Sequence, residues 1–181
     1  MRLCLDACVL YPTVLRDCLM GLAQAGQMTP LWSDRILEEW ARAAERNLGP
    51  EGGMIARGEI ALLQANFPAA IIDADSEIEA RLYLPDRADI HVLATAITGK
   101  AEAILTFNLR DFPRAELAGH DIVALHPDSY LCDIWAQEPD LVAKICAGVL
   151  ARMNDLREAP SDLRKMLKRA RLPKLAKRLA D

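Results

Sequence analysis

Several familiar signatures are missing from this chain. Its apolar runs are short, so no stretch of about 20 residues could span a bilayer as a helix. Its five cysteines, Cys4, Cys8, Cys18, Cys132 and Cys146, are odd in number and widely spread. They form no CxxC pair and fit neither a zinc ribbon nor a disulfide framework, so they are expected to be reduced and mostly buried. Only three histidines occur, His91, His120 and His126, with no HExxH and no other metal spacing. A glycine-rich GxGxxG turn and a Walker A loop are both absent, which removes the support for a bound nucleotide cofactor. The opening Met-Arg-Leu-Cys-Leu-Asp meets an acid too early for a secretory signal, and the cytoplasm is the expected compartment.

What is present suits one globular domain with an appendage. The 181 residues are 52% hydrophobic, enough for a sizeable core. The net charge of −4 conceals two unlike halves. Residues 160–181 carry eight Lys or Arg against Asp162 and Asp181, a net of +6, so the rest of the chain holds −10. An acidic body with a basic tail points to a cation-binding site plus a surface for polyanions or an acidic partner.

The hydrophobic pattern alternates strand and helix. Arg2–Asp6 reads as a strand ending on an acid, followed by a turn and a helix that Pro12 can open. Leu31-Trp32 is a brief extended piece, and Ser33 is a good N-cap for a helix carrying Ile36, Leu37, Trp40 and Ala44. Asn47-Leu-Gly-Pro50 should break the chain before a third helix near 53–66. Ala70–Asp73 is an expected strand, followed by a short helix to Leu82. Asp86 and Asp89 open a further helix with an apolar stripe of Val92, Leu93, Ala96 and Ile97. Ala103–Leu105 is a short buried strand, Ile122–Leu125 another, and the chain beyond is helical, with Glu158–Ser161 as a linker and Ser161 capping a basic helix. Alternating strands and helices predict an α/β fold with a central parallel sheet over 1–136, and an all-helical C-terminal extension over 137–181.

Four acids sit where such a fold exposes its active edge. Asp6 and Asp111 follow strands, Glu39 lies beside the apolar face of a helix, and Asp89 begins one. Asp86 and Asn108 stand close by. In open α/β sheets ligands bind beyond the carboxyl ends of strands. Crowded carboxylates repel and raise one another's pKa unless a cation joins them. Hard ions such as Mg²⁺ or Mn²⁺ take carboxylate oxygens, and a pair of them can clamp an in-line phosphoryl displacement.

Four segments carry a resemblance: Leu-Asp6-Ala-Cys-Val-Leu-Tyr-Pro, Ser33-x-x-Ile-Leu-x-Glu39, Asp89-x-x-Val-Leu-Ala-x-Ala96 and Thr106-Phe-Asn108-Leu-Arg-Asp111-Phe-Pro. In this order they resemble the PIN domain, and in particular the VapC-type toxin ribonucleases of bacterial toxin–antitoxin pairs. The resemblance implies a PIN-like three-layer α/β/α fold and a Mg²⁺- or Mn²⁺-dependent endoribonuclease in which metal-activated water attacks phosphorus, leaving a 5′-phosphate and a 3′-hydroxyl. It places catalytic and metal-holding roles on Asp6, Glu39, Asp89 and Asp111, with Asp86, Thr106 and Asn108 in support. The family often has an Asp where Asn108 stands, so either Asn108 or Asp111 completes the set, and Glu38 replaces Glu39 if the helix is rotated. The implied partners are an RNA substrate (tRNA, rRNA or mRNA), a cognate antitoxin and a second copy in a homodimer. The alternative is a non-catalytic PIN-type module that binds RNA or protein.

The tail lies beyond the resemblance. Arg164, Lys165, Lys168 and Arg169 are candidate RNA contacts, against the plainer reading of a solvated helix that packs Leu163, Met166 and Leu167 inward. Few aromatics lie among these charges, which disfavours base stacking there. His91 is expected on a helix surface, and Trp32, Trp40 and Trp135 as core or interface anchors.

Overall fold

The computed structural model describes residues 1–155 and 159–179. Four strands, β1 (Arg2–Leu5), β2 (Thr29–Leu31), β3 (Ala103–Leu105) and β4 (Val123–Leu125), form one all-parallel sheet in the order β2-β1-β3-β4. The two middle strands carry Leu3, Cys4, Leu5, Ala103, Ile104 and Leu105, all fully buried. Continuous apolar runs of this kind are what a strand covered on both faces requires. β2 contains Pro30, which lacks a donor, and it lies at a sheet edge, where that lack is tolerated.

The helices are α1 (Ala7–Leu10), α2 (Thr13–Gln24), α3 (Asp34–Asn66), α4 (Ser76–Glu79), α5 (Ile90–Thr98), α6 (Arg114–Ala118), α7 (Pro127–Gln137), α8 (Pro139–Asp155), α9 (Leu163–Arg169) and α10 (Pro173–Arg178). The expected break in α3 is real. Gly49 takes φ 78° and ψ −175°, a conformation that glycine reaches without a Cβ penalty. Pro50, with φ preset for a first helical turn, starts the second segment.

Two local expectations are revised. Residues 70–73 do not form a strand. A single parallel bridge joins Ile71 to Trp32, through Trp32 N–H to Ala70 O at 3.0 Å and Ile72 N–H to Trp32 O at 2.8 Å. The acidic run that follows diverts the backbone into α4, whose N-cap is Asp75. The cap of α9 is Asp162, which accepts from Lys165 N–H at 2.7 Å, because its carboxylate is the stronger acceptor. Ser161 instead bonds Asn154, and Glu158, the first residue of the expected linker, lies outside the described residues.

The chain divides into two compact units, Met1–Tyr11 with Met28–Leu125, and Pro12–Gln27 with His126–Asp181. The first holds the sheet, with α5 packed on β1 and β3. In the second, α2 lies against α8 so closely that a Cβ on Gly21 would stand 2.7 Å from Ile145 Cγ2. The Cys18 and Cys146 sulfurs meet at 4.0 Å across this same helix pair, both as free thiols. The buried Asp128 carboxylate accepts from Lys174 and Leu175 N–H at 2.9 and 3.0 Å, holding the start of α10. Among the described residues no helix is long and apolar enough to cross a membrane.

Candidate functional site

The sheet order reverses at β1. The chain runs from β1 to β2 on one side, then returns to place β3 on the other. The crevice beyond the carboxyl ends of β1 and β3 is therefore the switch point at which α/β sheets bind ligands. Leu5 pairs with Leu105, so the next residues, Asp6 and Thr106, emerge side by side.

Asp6 is buried, at 6% exposure, and its Oδ2 is held from two directions. The fully buried Thr106 hydroxyl donates to it at 2.6 Å, and the Cys8 thiol at 3.1 Å. Phe107 N–H donates to the Cys8 sulfur at 3.3 Å, and Asn108 N–H to the Thr106 hydroxyl at 3.0 Å. Burial, and then the Asp6 charge, pushes the Cys8 thiol up to about 12, so it stays protonated as a donor. Among the described residues no group donates to Asp6 Oδ1, which leaves one oxygen of a fixed carboxylate available to a ligand.

The other acids arrive from separate elements. Asp86 opens the single turn Arg87–Asp89 by accepting from Ala88 N–H at 2.8 Å. Asp89 then stands at the entry to α5, with no hydrogen bond from its side chain to the helix end. Burial first, and then the charges of Asp6, Asp86, Asp111 and Glu39, push the Asp89 carboxyl up from 3.8 to about 6. Five acids spread over more than a hundred residues of sequence thus share one electrostatic neighbourhood. Among the described residues no three of them are closed into a ready-made metal cage.

Glu39 and Glu38 part company on α3. Ser33 caps this helix, accepting from Ile36 N–H at 3.4 Å, and so fixes its rotation. Glu39 Oε1 lies 2.8 Å from His91 Nε2 and 4.0 Å from Arg35 Nε. Glu38 is paired with Arg42 at 3.0 Å and Arg57 at 3.1 Å, and it is not among the charges acting on Asp89. Asp111, on the turn Leu109–Asp111, is half-buried and acts on Asp89, whereas Asn108 is exposed and engages the cluster through its backbone.

Two residues near the cluster were not expected there. Cys8, expected only as a reduced thiol, carries its signal in its position, two residues after Asp6. His91 is not on a helix surface: it is 2% exposed, since the first turn of α5 is buried nearly all round. Its approach to Glu39 is short, but neither ring nitrogen makes an aligned hydrogen bond among the described residues. Trp32 and Trp40 are core residues, and Trp135 lies under the Arg178 guanidinium at 5.4 Å. Arg164, Lys165, Lys168 and Arg169 are all exposed on α9, which belongs to the second compact unit, whereas the five acids belong to the first.

A family model described as PIN domain matches residues 2–110 of this chain. The chain belongs to the PIN domain family. The match contains Asp6, Glu39, Asp86, Asp89, Thr106 and Asn108, and ends one residue before Asp111. The expected α/β PIN architecture with a central parallel sheet and further C-terminal helices is therefore the one that forms. Within the curated proteins, this PIN chain is 42% identical over 67 residues to a Mycobacterium tuberculosis (strain ATCC 25618 / H37Rv) protein named "Putative ribonuclease VapC50". The aligned segment covers 37% of this chain and 37% of that relative. No solved structure gives a significant match.

Proposed function

We propose that this PIN protein is a divalent-metal-dependent endoribonuclease, the toxin of a type II toxin–antitoxin pair. The observation that carries the reading is the Asp89 carboxyl, held near 6 by its burial and by the charges of Asp6, Asp86, Asp111 and Glu39. Five carboxylates converging at a sheet switch point, with the Arg35 guanidinium beside Glu39, are costly to hold together without a further cation. The donors are all hard oxygens, which fits Mg²⁺ or Mn²⁺. Asp6, Glu39, Asp89 and Asp111 are the residues that would hold the ion. When bound, it makes a coordinated water acidic enough to attack a phosphodiester near neutral pH.

The remaining work belongs to the protein's own groups. Thr106 and Cys8 hold Asp6 in one rotamer through the hydrogen bonds to Oδ2, leaving Oδ1 for the ligand. Asp86 fixes the turn that presents Asp89. Asn108 donates its backbone N–H to Thr106 and so ties the end of β3 to the same network. The implied substrate is tRNA, rRNA or mRNA, with the cytoplasm as the setting, and the implied protein partners are a cognate antitoxin and a second copy. The relative's printed name supports the ribonuclease reading.

Purified protein with Mn²⁺ should cut an RNA pool, and Asp6→Ala should abolish the cutting. Undiminished cutting by that variant from a nuclease-free preparation sinks the assignment. A second reading, a non-catalytic module that binds RNA or protein, draws on the open spacing of the acids, since no three of them form a closed ligand set. Isothermal titration separates the two: the nuclease binds Mn²⁺ and turns over, while the module does neither.

A further inference from the structure

The second compact unit carries a cationic surface that the acid cluster does not use. Arg164, Lys165, Lys168 and Arg169 occupy positions i, i+1, i+4 and i+5 of α9, and all four are exposed. Met166, Leu167 and Ala170 are buried, so one side of the helix is anchored and the other presents two pairs of cations one turn apart. These four residues and Asp162 line a shallow, open surface depression of about 610 Å³. Asp162 is already engaged as the helix cap, bonded to Lys165 N–H. Among the described residues none of the four cations has an ion-pair partner. The contrast with α3 is direct: there Arg35, Arg42 and Arg57 each pair with a glutamate. On the next helix the cations are differently placed: Lys174 Nζ donates to Ser129 Oγ at 3.1 Å and the Arg178 guanidinium covers Trp135, so that helix does not repeat the unpaired set.

We propose that the α9 face is a docking surface for the sugar-phosphate backbone of single-stranded RNA, which deepens the ribonuclease reading and rests on it. The chemistry of the depression selects this occupant over an acidic peptide. Its lining residues are all charged, so it offers ionic contacts alone, and the apolar pocket of about 180 Å³ beside it, lined by Pro12, Val14, Met153, Met166 and Ala170, shares only Arg169 with it. Phosphate recognition needs only such charges, with arginine forks able to meet phosphate oxygens in pairs. No aromatic residue lines the depression, so bases are not stacked and the grip is blind to sequence.

The test is fluorescence anisotropy with a labelled oligouridine and a labelled mixed-sequence RNA. The protein is the full chain with Asp6→Asn in EDTA, so that binding is read without cleavage. Each phosphate contact contributes a slope of about −0.7 in log K against log salt for single strands, so four contacts give about −3. Changing Arg164, Lys165, Lys168 and Arg169 together to Ala should remove most of that slope and weaken binding at least tenfold near 100 mM salt, equally for both RNAs. Lys165→Arg with Lys168→Arg should keep the affinity, which guards against a folding defect in the quadruple variant. Unchanged slope and affinity in a folded quadruple variant overturn the proposal. So does preferential capture of a polyglutamate probe, which marks the face as a site for acidic protein. A wild type that binds RNA through α9 yet never cuts it defeats the ribonuclease reading alone. Cutting with unchanged KM in the quadruple variant defeats this inference alone.

Discussion

Replacing Asp89 by Asn should stabilise the metal-free protein while destroying its proposed function. The carboxyl makes no hydrogen bond to the end of α5, so the substitution breaks none. Its pKa is raised from 3.8 to about 6, first by burial and then by Asp6, Asp86, Asp111 and Glu39. About two units is worth about 3 kcal/mol for a fully buried group. Asp89 is only half-buried, and solvent screening cuts this to about 1 kcal/mol. Because folding raises the pKa, the native state binds the proton more tightly than the unfolded chain. The wild type therefore loses stability as pH rises between about 4 and 6, and carries the whole penalty above 6. In EDTA at pH 7.5, Asp89→Asn should melt about 2–4 °C higher than wild type, the shift expected for about 1 kcal/mol in a chain of this size. Near pH 3 the two should melt together, since Asp89 is then largely protonated in both states. Added Mn²⁺ should reverse the order at pH 7.5 by stabilising the wild type through binding that the variant lacks. A variant that melts at or below the wild-type temperature in EDTA at pH 7.5 would show that the acids do not repel as argued.

Three further outcomes follow from local geometry. Thr106→Val removes the 2.6 Å donor to buried Asp6 and should cost about 1–3 kcal/mol in urea unfolding, with weaker Mn²⁺ binding, whereas Thr106→Ser should retain both; equal losses in the two variants would detach the hydroxyl from the effect. Glu39→Gln should weaken Mn²⁺ binding by calorimetry, while Glu38→Gln, which sits among Arg42 and Arg57, should leave it unchanged; the reverse result would mean that the helix presents the other acid. Gly21→Val drives a side chain into Ile145, whose Cγ2 would stand 2.7 Å from the new Cβ, and should cost about 1–3 kcal/mol by overpacking, read as a lower denaturation midpoint.

Much of this was legible in the chain because it depends on short-range chemistry. The apolar runs at 3–5 and 103–105, the Ser33 cap and the Gly49-Pro50 break each act through neighbouring atoms, so local sequence specified them. The order of the acids along the chain was equally visible. Residues 70–73 show the limit. Their apolar pattern allowed a strand, but pairing needs a partner edge, and only Trp32 offers one bridge.

The sequence by itself determined which residues could carry the chemistry: the acids, the oxygen donors and the separate basic tail follow from residue type and spacing. The tertiary structure decided which of them act together. It turned Glu39 rather than Glu38 toward the charge cluster, buried His91 beside that carboxylate, and made Cys8 a donor to Asp6. It also set α2 against α8, far along the chain. The physical reason is common to all four: charge coupling, burial and helix packing depend on distance in space, and residues two or a hundred apart in sequence meet only when the sheet register and helix rotation are fixed.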